Sequence, residues 1–148
     1  MSTRKDLPRE ISLAVRDACL CLHLQRAARV VARRFDEAFR RLGLTNHQFS
    51  LLMSLNRPEP ARMSEVAGLL AIDRTTLTAN LKPLERRGLV KVAPDPEDRR
   101  SRRLALTPAG RTLLIDAVPV WKRTHAALDR LLGAASLDRL RTDLRTLS

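Results

Sequence analysis

Aromatic side chains are scarce in this sequence: they make up 3% of its 148 residues, with no tyrosine, one tryptophan and three phenylalanines. Proteins that bind single-stranded nucleic acid stack bases on aromatic rings, so that mode of binding is disfavoured. The five glycines form no glycine-rich phosphate loop. There are no paired carboxylates in an apolar setting and no nucleophile beside a base. The sequence therefore indicates a protein that is not an enzyme, and it predicts no cofactor.

Long apolar runs and a cysteine framework are also missing. No run approaches the roughly 18 apolar residues that a membrane span requires, and the N-terminus has no apolar segment typical of a secretory signal. Two cysteines, Cys19 and Cys21, do not make a disulfide framework, which suits a reducing compartment. We therefore expect a cytoplasmic protein without a membrane partner.

Positive charge, by contrast, is abundant. Lysine and arginine number 28 against 16 aspartates and glutamates, which gives a net charge of +12. Such an excess predicts an anionic partner. Because aromatic rings are few, double-stranded DNA held through its phosphates is favoured over a single strand.

Apolar spacing and capping signals predict a mainly α-helical chain with a small β-wing. Six helices are predicted: 9–42, 46–56, 63–70, 74–87, 108–132 and 137–147. Thr45, Asp73 and Thr107 are the expected N-caps, and Pro119 is expected to bend its helix. Two short strands, 89–92 and 103–106, flank a polar hairpin that should project from the body.

Two short helices joined by a tight connector, then two strands around a basic loop, form the order of a winged helix-turn-helix. In helix 74–87, Leu77, Leu81 and Leu84 share a face that must pack inward. The remaining small, hydroxylated and basic surface would fit a major groove: Arg74, Thr75, Thr76, Thr78, Ala79, Lys82 and Arg86. Arg74 could make a bidentate guanine contact. The alternative is an amphipathic helix with a solvated outer face.

The hairpin contributes a second basic surface. Its exposed candidates for DNA binding are Arg99, Arg100 and Arg102, and such a charge suits the narrow, electronegative minor groove. Asp95, Glu97 and Asp98 precede the arginines and are expected to brace them. The alternative is a hairpin that is merely solvated. An unspecific architectural DNA binder would share this charge but lack operator preference.

The stretch Asp95-Pro96-Glu97-Asp98-Arg99-Arg100, followed by Leu104-Ala105-Leu106-Thr107-Pro108-Ala109-Gly110, resembles the wing signature of the MarR family of bacterial regulators. Supporting similarities lie in 44–49, 73–78 and 84–90, so the resemblance covers nearly the whole chain. It implies a transcription regulator, by default a repressor, that binds a short inverted repeat as a homodimer. By position, Arg100 would enter the minor groove and Asp98 would support it.

The helices outside the winged segment carry apolar residues that need partners, among them Leu113, Leu128 and Leu144. We predict that 1–44 and 108–148 form the dimerisation helices and that 45–107 forms the winged helix-turn-helix DNA-binding domain. A two-fold symmetric dimer would match a palindromic operator.

The same resemblance implies a crevice for a small aromatic or phenolic ligand between the dimer helices and the DNA-binding lobe. The candidate pocket residues are Arg16, His47, Phe49, Trp121 and His125. For each of them the alternative is an ordinary core or surface position. We expect that ligand binding releases the protein from its operator.

The cysteines leave a second function open. Cys21 lies in an apolar stripe with Leu24 and Ala28, which favours a buried, inert thiol. By resemblance, however, Cys21 falls where the OhrR-like peroxide sensors of the family keep their reactive cysteine. Gln25 and Phe35 stand where that branch has tyrosines, and no local support for a thiolate is evident. The histidines and cysteines lack paired ligand spacing, so no metal site is predicted.

Overall fold

The computed structural model describes residues 6–148. The architecture is mainly helical with a small antiparallel sheet, as the sequence predicts. The helices are α1 Arg9–Ala18, α2 Leu20–Phe39, α3 Asn46–Ser54, α4 Met63–Leu70, α5 Arg74–Arg86, α6 Pro108–Leu132 and α7 Ala134–Leu147, with a 3-10 turn at Arg40–Leu42. The strands are β1 Ala61–Arg62, β2 Val90–Pro94 and β3 Arg102–Leu106.

The chain divides into two units, one ending at Arg34 and the other running from Phe35 to Ser148. The division falls inside α2, ten residues before the boundary at 44 that we expected from the sequence. None of the helices in residues 6–148 is both long and apolar enough to cross a membrane.

The prediction of one continuous helix over 9–42 is wrong. The helix is interrupted at Cys19, whose backbone is extended (φ −68°, ψ 107°), and α2 gives way to a 3-10 turn that ends at Gly43. Beside the interruption, the His23 ring nitrogen Nε2 lies 2.9 Å from the carbonyl oxygen of Asp17. A side chain thus satisfies a carbonyl next to the break, without any glycine or proline to signal it.

The three predicted N-caps are confirmed. Thr45 forms a capping box with Gln48, in which each side chain bonds the other residue's backbone N–H. The Asp73 carboxylate accepts from the Thr76 N–H at 2.7 Å, and the Thr107 hydroxyl accepts from the Gly110 N–H at 3.0 Å. These bonds satisfy donors that a helix start leaves unpaired. α6 continues through Pro119 to Leu132.

The sheet has the order β1-β3-β2, with both pairs antiparallel. β2 and β3 have 5 residues each and so extend further towards the tip of the hairpin than the predicted strands, and their register pairs Val92 with Leu104. The sequence gives no sign of β1, since two residues after a proline-rich turn show no alternation. β1 pairs Ala61 with Leu104 and Arg62 with Arg103, so it extends the wing sheet by one edge.

The core of the second unit confirms the inward face of α5. Leu77, Leu81 and Leu84 are all buried, together with Val66 of α4 and Leu104 of β3. Their burial decides which face of α5 remains at the surface, because residues at spacings of three and four lie on one side of a helix.

A close backbone approach ties the start of α6 to the end of the turn before β2. The Thr107 N–H donates to the Leu89 carbonyl at 3.1 Å, and the Thr107 hydroxyl donates to the Gly88 carbonyl at 2.5 Å. A Cβ at Gly110 would overlap the same Leu89 carbonyl oxygen and would lie 2.9 Å from a methyl group of Leu106. Glycine is therefore required at position 110 for steric reasons.

We expect Gly110→Ala to lower the free energy of unfolding by about 1–3 kcal/mol, because the added methyl group must displace backbone. Gly68→Ala is the matched control: a Cβ there meets nothing within 4 Å. In that helix it should raise stability by about 0.5–1 kcal/mol. Urea denaturation of the two variants measures both changes. Equal stabilities for the two variants would contradict the close approach.

Candidate nucleic-acid interface

The outer face of α5 is exposed along its length. Every residue that the sequence assigned to DNA on this helix is at the surface: Arg74, Thr75, Thr76, Thr78, Ala79, Lys82 and Arg86. The ion pairs of the described residues leave Arg74, Lys82 and Arg86 without an acidic partner. Their charges are therefore available to an external anion.

The start of α5 is held by its N-cap. The N–H of Thr76 donates to the Asp73 carboxylate and holds the pKa of that carboxyl below its usual value. The cap remains charged at neutral pH. The positive end of the helix dipole also favours a carboxylate at this position. This fixes the first turn, in which the threonines and Arg74 lie.

The tip of the wing is an ordered turn. The Ser101 N–H donates to the Asp98 carbonyl at 2.9 Å, and the Asp95 N–H donates to the Ser101 carbonyl at 3.0 Å. The Asp98 carboxylate accepts from the backbone N–H of Arg100 at 3.0 Å. Asp98 thus contacts the main chain of Arg100, whereas the resemblance had suggested support of the arginine generally.

Asp95 anchors the base of this turn. Its carboxylate is 3% exposed and accepts from the Glu97 N–H at 3.0 Å and from Arg103 Nε at 2.9 Å. The Glu97 N–H, more than Arg103, holds the pKa of Asp95 below its usual value, against the opposing effect of burial. Arg103 Nη1 also lies 3.4 Å from the Pro60 carbonyl, so the anchor reaches the segment before β1.

The three wing arginines assigned to DNA from the sequence stand outside this support. Arg99, Arg100 and Arg102 are exposed, and no ion pair among the described residues includes them. The fourth arginine of the run, Arg103, is paired with Asp95. The DNA candidates named from the sequence already leave Arg103 out, but its pairing was not predicted. Asp95 follows β2 and Arg103 lies on β3, so their contact depends on the hairpin register.

The helix and the wing border one groove. Arg74, Thr78 and Lys82 from α5 face Arg102 from β3 across a cavity of about 380 Å³, with Glu85 at its edge. Arg74 also contacts the wing, where its Nη2 donates to the carbonyl oxygen of Arg100 at 3.0 Å. The recognition surface and the wing are therefore joined directly.

A second cavity, of about 460 Å³, lies among α3, α4 and α6 and contains two of the candidate ligand residues. Phe49 and Trp121 line it with Met53, Leu69 and Val118. His47 does not join them and lines a separate cavity beside Ala79. Residues two positions apart on a helix point roughly 200° apart, which puts His47 and Phe49 on different faces.

The other two candidates are engaged elsewhere. The His125 ring packs on Trp121 with centroids 4.9 Å apart. Its Nε2 lies 3.3 Å from Arg141 and its Nδ1 lies 3.5 Å from Asp129. Arg16 lies in the first unit and pairs with Asp17 at 2.6 Å. Phe49 and Trp121 are thus the pair that shares a cavity.

The Cys21 side chain is exposed, whereas the sequence favoured a buried thiol. It is exposed on α2, while Cys19 is half-buried at the helix break. The predicted apolar stripe does not bury Cys21, because α1 contains no buried residue and α2 buries only Phe35 and Phe39.

The expected lack of support for the thiol is also wrong. Gln25 Nε2 donates to Cys21 Sγ at 3.2 Å, and Arg29 Nη2 donates to the Gln25 Oε1 at 3.3 Å. The spacing of four residues in each step aligns the three side chains on one face of α2.

Comparison with known proteins gives concordant matches. The sequence model of the MarR family matches residues 44–101. The transcriptional activatory protein BadR of Rhodopseudomonas palustris is 35% identical over 95 residues, which cover 62% of this chain and about half (54%) of BadR. The organic hydroperoxide resistance transcriptional regulator of Bacillus subtilis is 30% identical over 86% of each chain.

Solved structures match over greater lengths. MosR of M. tuberculosis, in complex with DNA, superimposes with a TM-score of 0.79 and 40% identity over 87% of this chain and 92% of MosR. The transcriptional repressor CouR, bound to a 23-mer DNA duplex, superimposes with a TM-score of 0.80 and 33% identity over 97% of this chain and 99% of CouR. CouR of Rhodococcus jostii bound to p-coumaroyl-CoA superimposes with a TM-score of 0.76 and 25% identity over 88% of this chain and 92% of that structure. With relatives this similar over most of both chains, the protein belongs to the MarR family of transcriptional regulators.

Proposed function

We propose that this regulator binds a palindromic operator in duplex DNA as a homodimer. The observation that carries the proposal is the groove in which an exposed basic helix face and an exposed arginine tip lie side by side. The proposed DNA contacts are Thr75, Thr76, Thr78, Ala79, Lys82, Arg86, Arg99, Arg100 and Arg102, and Arg74 lines the groove between the two surfaces. The solved DNA complexes of MosR and CouR support the same use of this fold.

The two surfaces would serve different grooves. The small residues on α5 allow the helix to enter a major groove, where threonine and lysine can contact bases or phosphates. The arginines of the tip suit the minor groove, whose narrow regions concentrate negative potential. Asp98 would support Arg100 there by holding its main-chain N–H.

Exposed apolar side chains support the homodimer. Leu131, Leu132, Leu140 and Leu144 on α6 and α7 lie at the surface of the single chain, as do Ile11 and Val15 on α1. We propose that 1–44 and 108–148 supply the dimerisation helices and 45–107 the DNA-binding domain. Burial between two copies would remove this apolar area from water.

Repression released by a small aromatic or phenolic ligand is the proposed mode of regulation. CouR is described as a repressor and was solved with p-coumaroyl-CoA, whereas BadR is described as an activator. In this chain the cavity between Phe49 and Trp121 is the proposed ligand site, because its lining is largely apolar with two serine hydroxyls.

The DNA contacts predict a strong dependence on salt. If about eight phosphates are neutralised, the logarithm of the association constant should fall with log salt at a slope near −7. Arg100→Ala should weaken binding at least about tenfold, with the dimer intact, since a wing contact is lost from both protomers. Arg57→Ala, at an exposed arginine whose charge is already paired with Glu65, is the control and should change little.

These values can be measured by fluorescence anisotropy on a duplex selected from a random pool. Failure to enrich any sequence would favour an unspecific DNA binder instead. Normal operator affinity of Arg100→Ala would contradict the wing assignment.

The ligand site can be tested through the single tryptophan. Trp121 is 37% exposed and lines the cavity, so p-coumarate or benzoate binding should change its fluorescence in a saturable way and weaken operator binding. Leu69→Glu, an exposed residue of the cavity lining, should abolish the response by adding a charge that repels the acid. Ser64→Glu, exposed on the same helix but outside the cavity lining, should retain it. An identical response in both variants would exclude this cavity.

A second candidate function, organic-peroxide sensing, is favoured by the contact between Gln25 and Cys21. A hydrogen bond to sulfur stabilises a thiolate. The side-chain amide of Gln25 would supply such a hydrogen bond to Cys21. The exposed Cys21 would reduce a hydroperoxide to the alcohol and be oxidised to a sulfenic acid. The similarity to the organic hydroperoxide resistance regulator supports this reaction.

We expect cumene hydroperoxide to lower operator affinity if Cys21 is a sensor. Cys21→Ser should abolish the response, Gln25→Ala should slow it, and Cys19→Ser should leave it intact as the matched control. Mobility shift after timed exposure, with mass spectrometry of the sulfenic acid, measures both steps. Unchanged affinity after peroxide would exclude sensing by this thiol.

A further inference from the structure

Arg74 occupies the first position of α5 and contacts the wing instead of lying along its own helix. Its Nη2 donates to the carbonyl oxygen of Arg100 at 3.0 Å, across 26 positions of sequence. Among the hydrogen bonds of residues 6–148, this is the one that joins α5 to the wing tip. α5 also packs against β2.

The same contact completes the support of one peptide unit. The N–H of Arg100 is held by the Asp98 carboxylate at 3.0 Å, and its carbonyl is held by Arg74. The neighbouring Ser101 is bonded through both its N–H and its carbonyl, to Asp98 and Asp95. The backbone that carries the Arg100 side chain is thereby held from inside the wing and from α5.

Charge explains why an arginine suits this position. Arg74 has no acidic partner among the described residues, so its hydrogen bond to a carbonyl is charge-assisted without neutralising the surface. A guanidinium also has a planar arrangement of donors that loses little freedom when one of them is engaged.

We propose that Arg74 is a positioning residue that sets the distance between the recognition helix and the wing arginine. This inference rests on the proposed DNA-binding function and revises the guanine contact expected from the sequence. Arg74 would act through Arg100: it holds the tip where the Arg100 side chain meets the minor groove. Specificity for bases in the major groove would come from the rest of the α5 face.

The two roles give opposite results in a double-mutant cycle. A residue that acts through Arg100 should lose its effect once the Arg100 side chain is removed, whereas a base contact should contribute independently. Arg74→Ala should weaken operator binding by about tenfold, as expected for a charge-assisted hydrogen bond. In an Arg100→Ala background the same change should matter less than about twofold, within ordinary additivity error.

Lys82→Ala is the matched control, since Lys82 is a cation on the same face of α5 that borders the groove without a bond to the tip. Its effect should be equally large in both backgrounds. Selection of duplexes from a random pool supplies a second readout: Arg74→Ala should enrich the same half-site as the unmodified chain. Arg74→Lys, which keeps a donor and the charge, should recover part of the affinity.

Amide hydrogen exchange of the free chain gives a third readout, independent of DNA. Arg74→Ala should speed exchange at Arg100 and Ser101, and Lys82→Ala should not. Additive losses in the cycle, relaxed preference at one base pair, or unchanged exchange would overturn the positioning role alone. Absence of sequence-specific binding by the unmodified chain would overturn the proposed function and this inference together.

Discussion

A buried carboxylate, that of Asp95, is the constraint on which the wing depends. At 3% exposure it would be costly to bury if it were unpaired, and it is paired on both sides by the Glu97 N–H and the Arg103 guanidinium. Both bonds favour the charged form, and the pKa of Asp95 is lowered. The stabilisation is therefore present at neutral pH and is lost as the pH falls through the lowered pKa.

The remaining DNA face follows from that pair. Asp95 turns Arg103 inward, which leaves Arg99, Arg100 and Arg102 exposed and without acidic partners. On the other side of the groove, three buried leucines settle the orientation of α5, and Arg74 links the helix to the tip. A surface arranged before binding loses less conformational freedom in the complex, and this pre-organisation favours affinity.

The sequence predicted the parts of this surface that depend on local chemistry. The spacing of Leu77, Leu81 and Leu84 determines one face of a helix, and Asp73 is a local cap, so both could be identified without a structure. Tertiary pairings could not be predicted in this way: β1 is too short to show a pattern, and the pairing of Arg103 with Asp95 depends on the hairpin register. The break at Cys19 has no glycine or proline as a signal.

The candidate ligand site shows the same limit. Phe49 and Trp121 were found by helical placement and chemistry, but Leu69 comes from α4 and converges with them only in the folded chain. His47 was grouped with Phe49 by helical placement and chemistry, although two positions along a helix turn their side chains to different faces. Likewise, the contact of Gln25 with Cys21 depends on side-chain conformation, which spacing allows but does not determine.

We propose that α5 enters the major groove while the wing tip enters the adjacent minor groove on each half of a palindrome. Hydroxyl-radical footprinting of the chain on its selected duplex can test this arrangement, because the radical attacks sugars along the minor groove. We expect two symmetric protected segments in the flanking minor grooves, both lost with Arg100→Ala while protection of major-groove guanines from methylation persists. A single asymmetric footprint, or flanking protection that survives without Arg100, would contradict it.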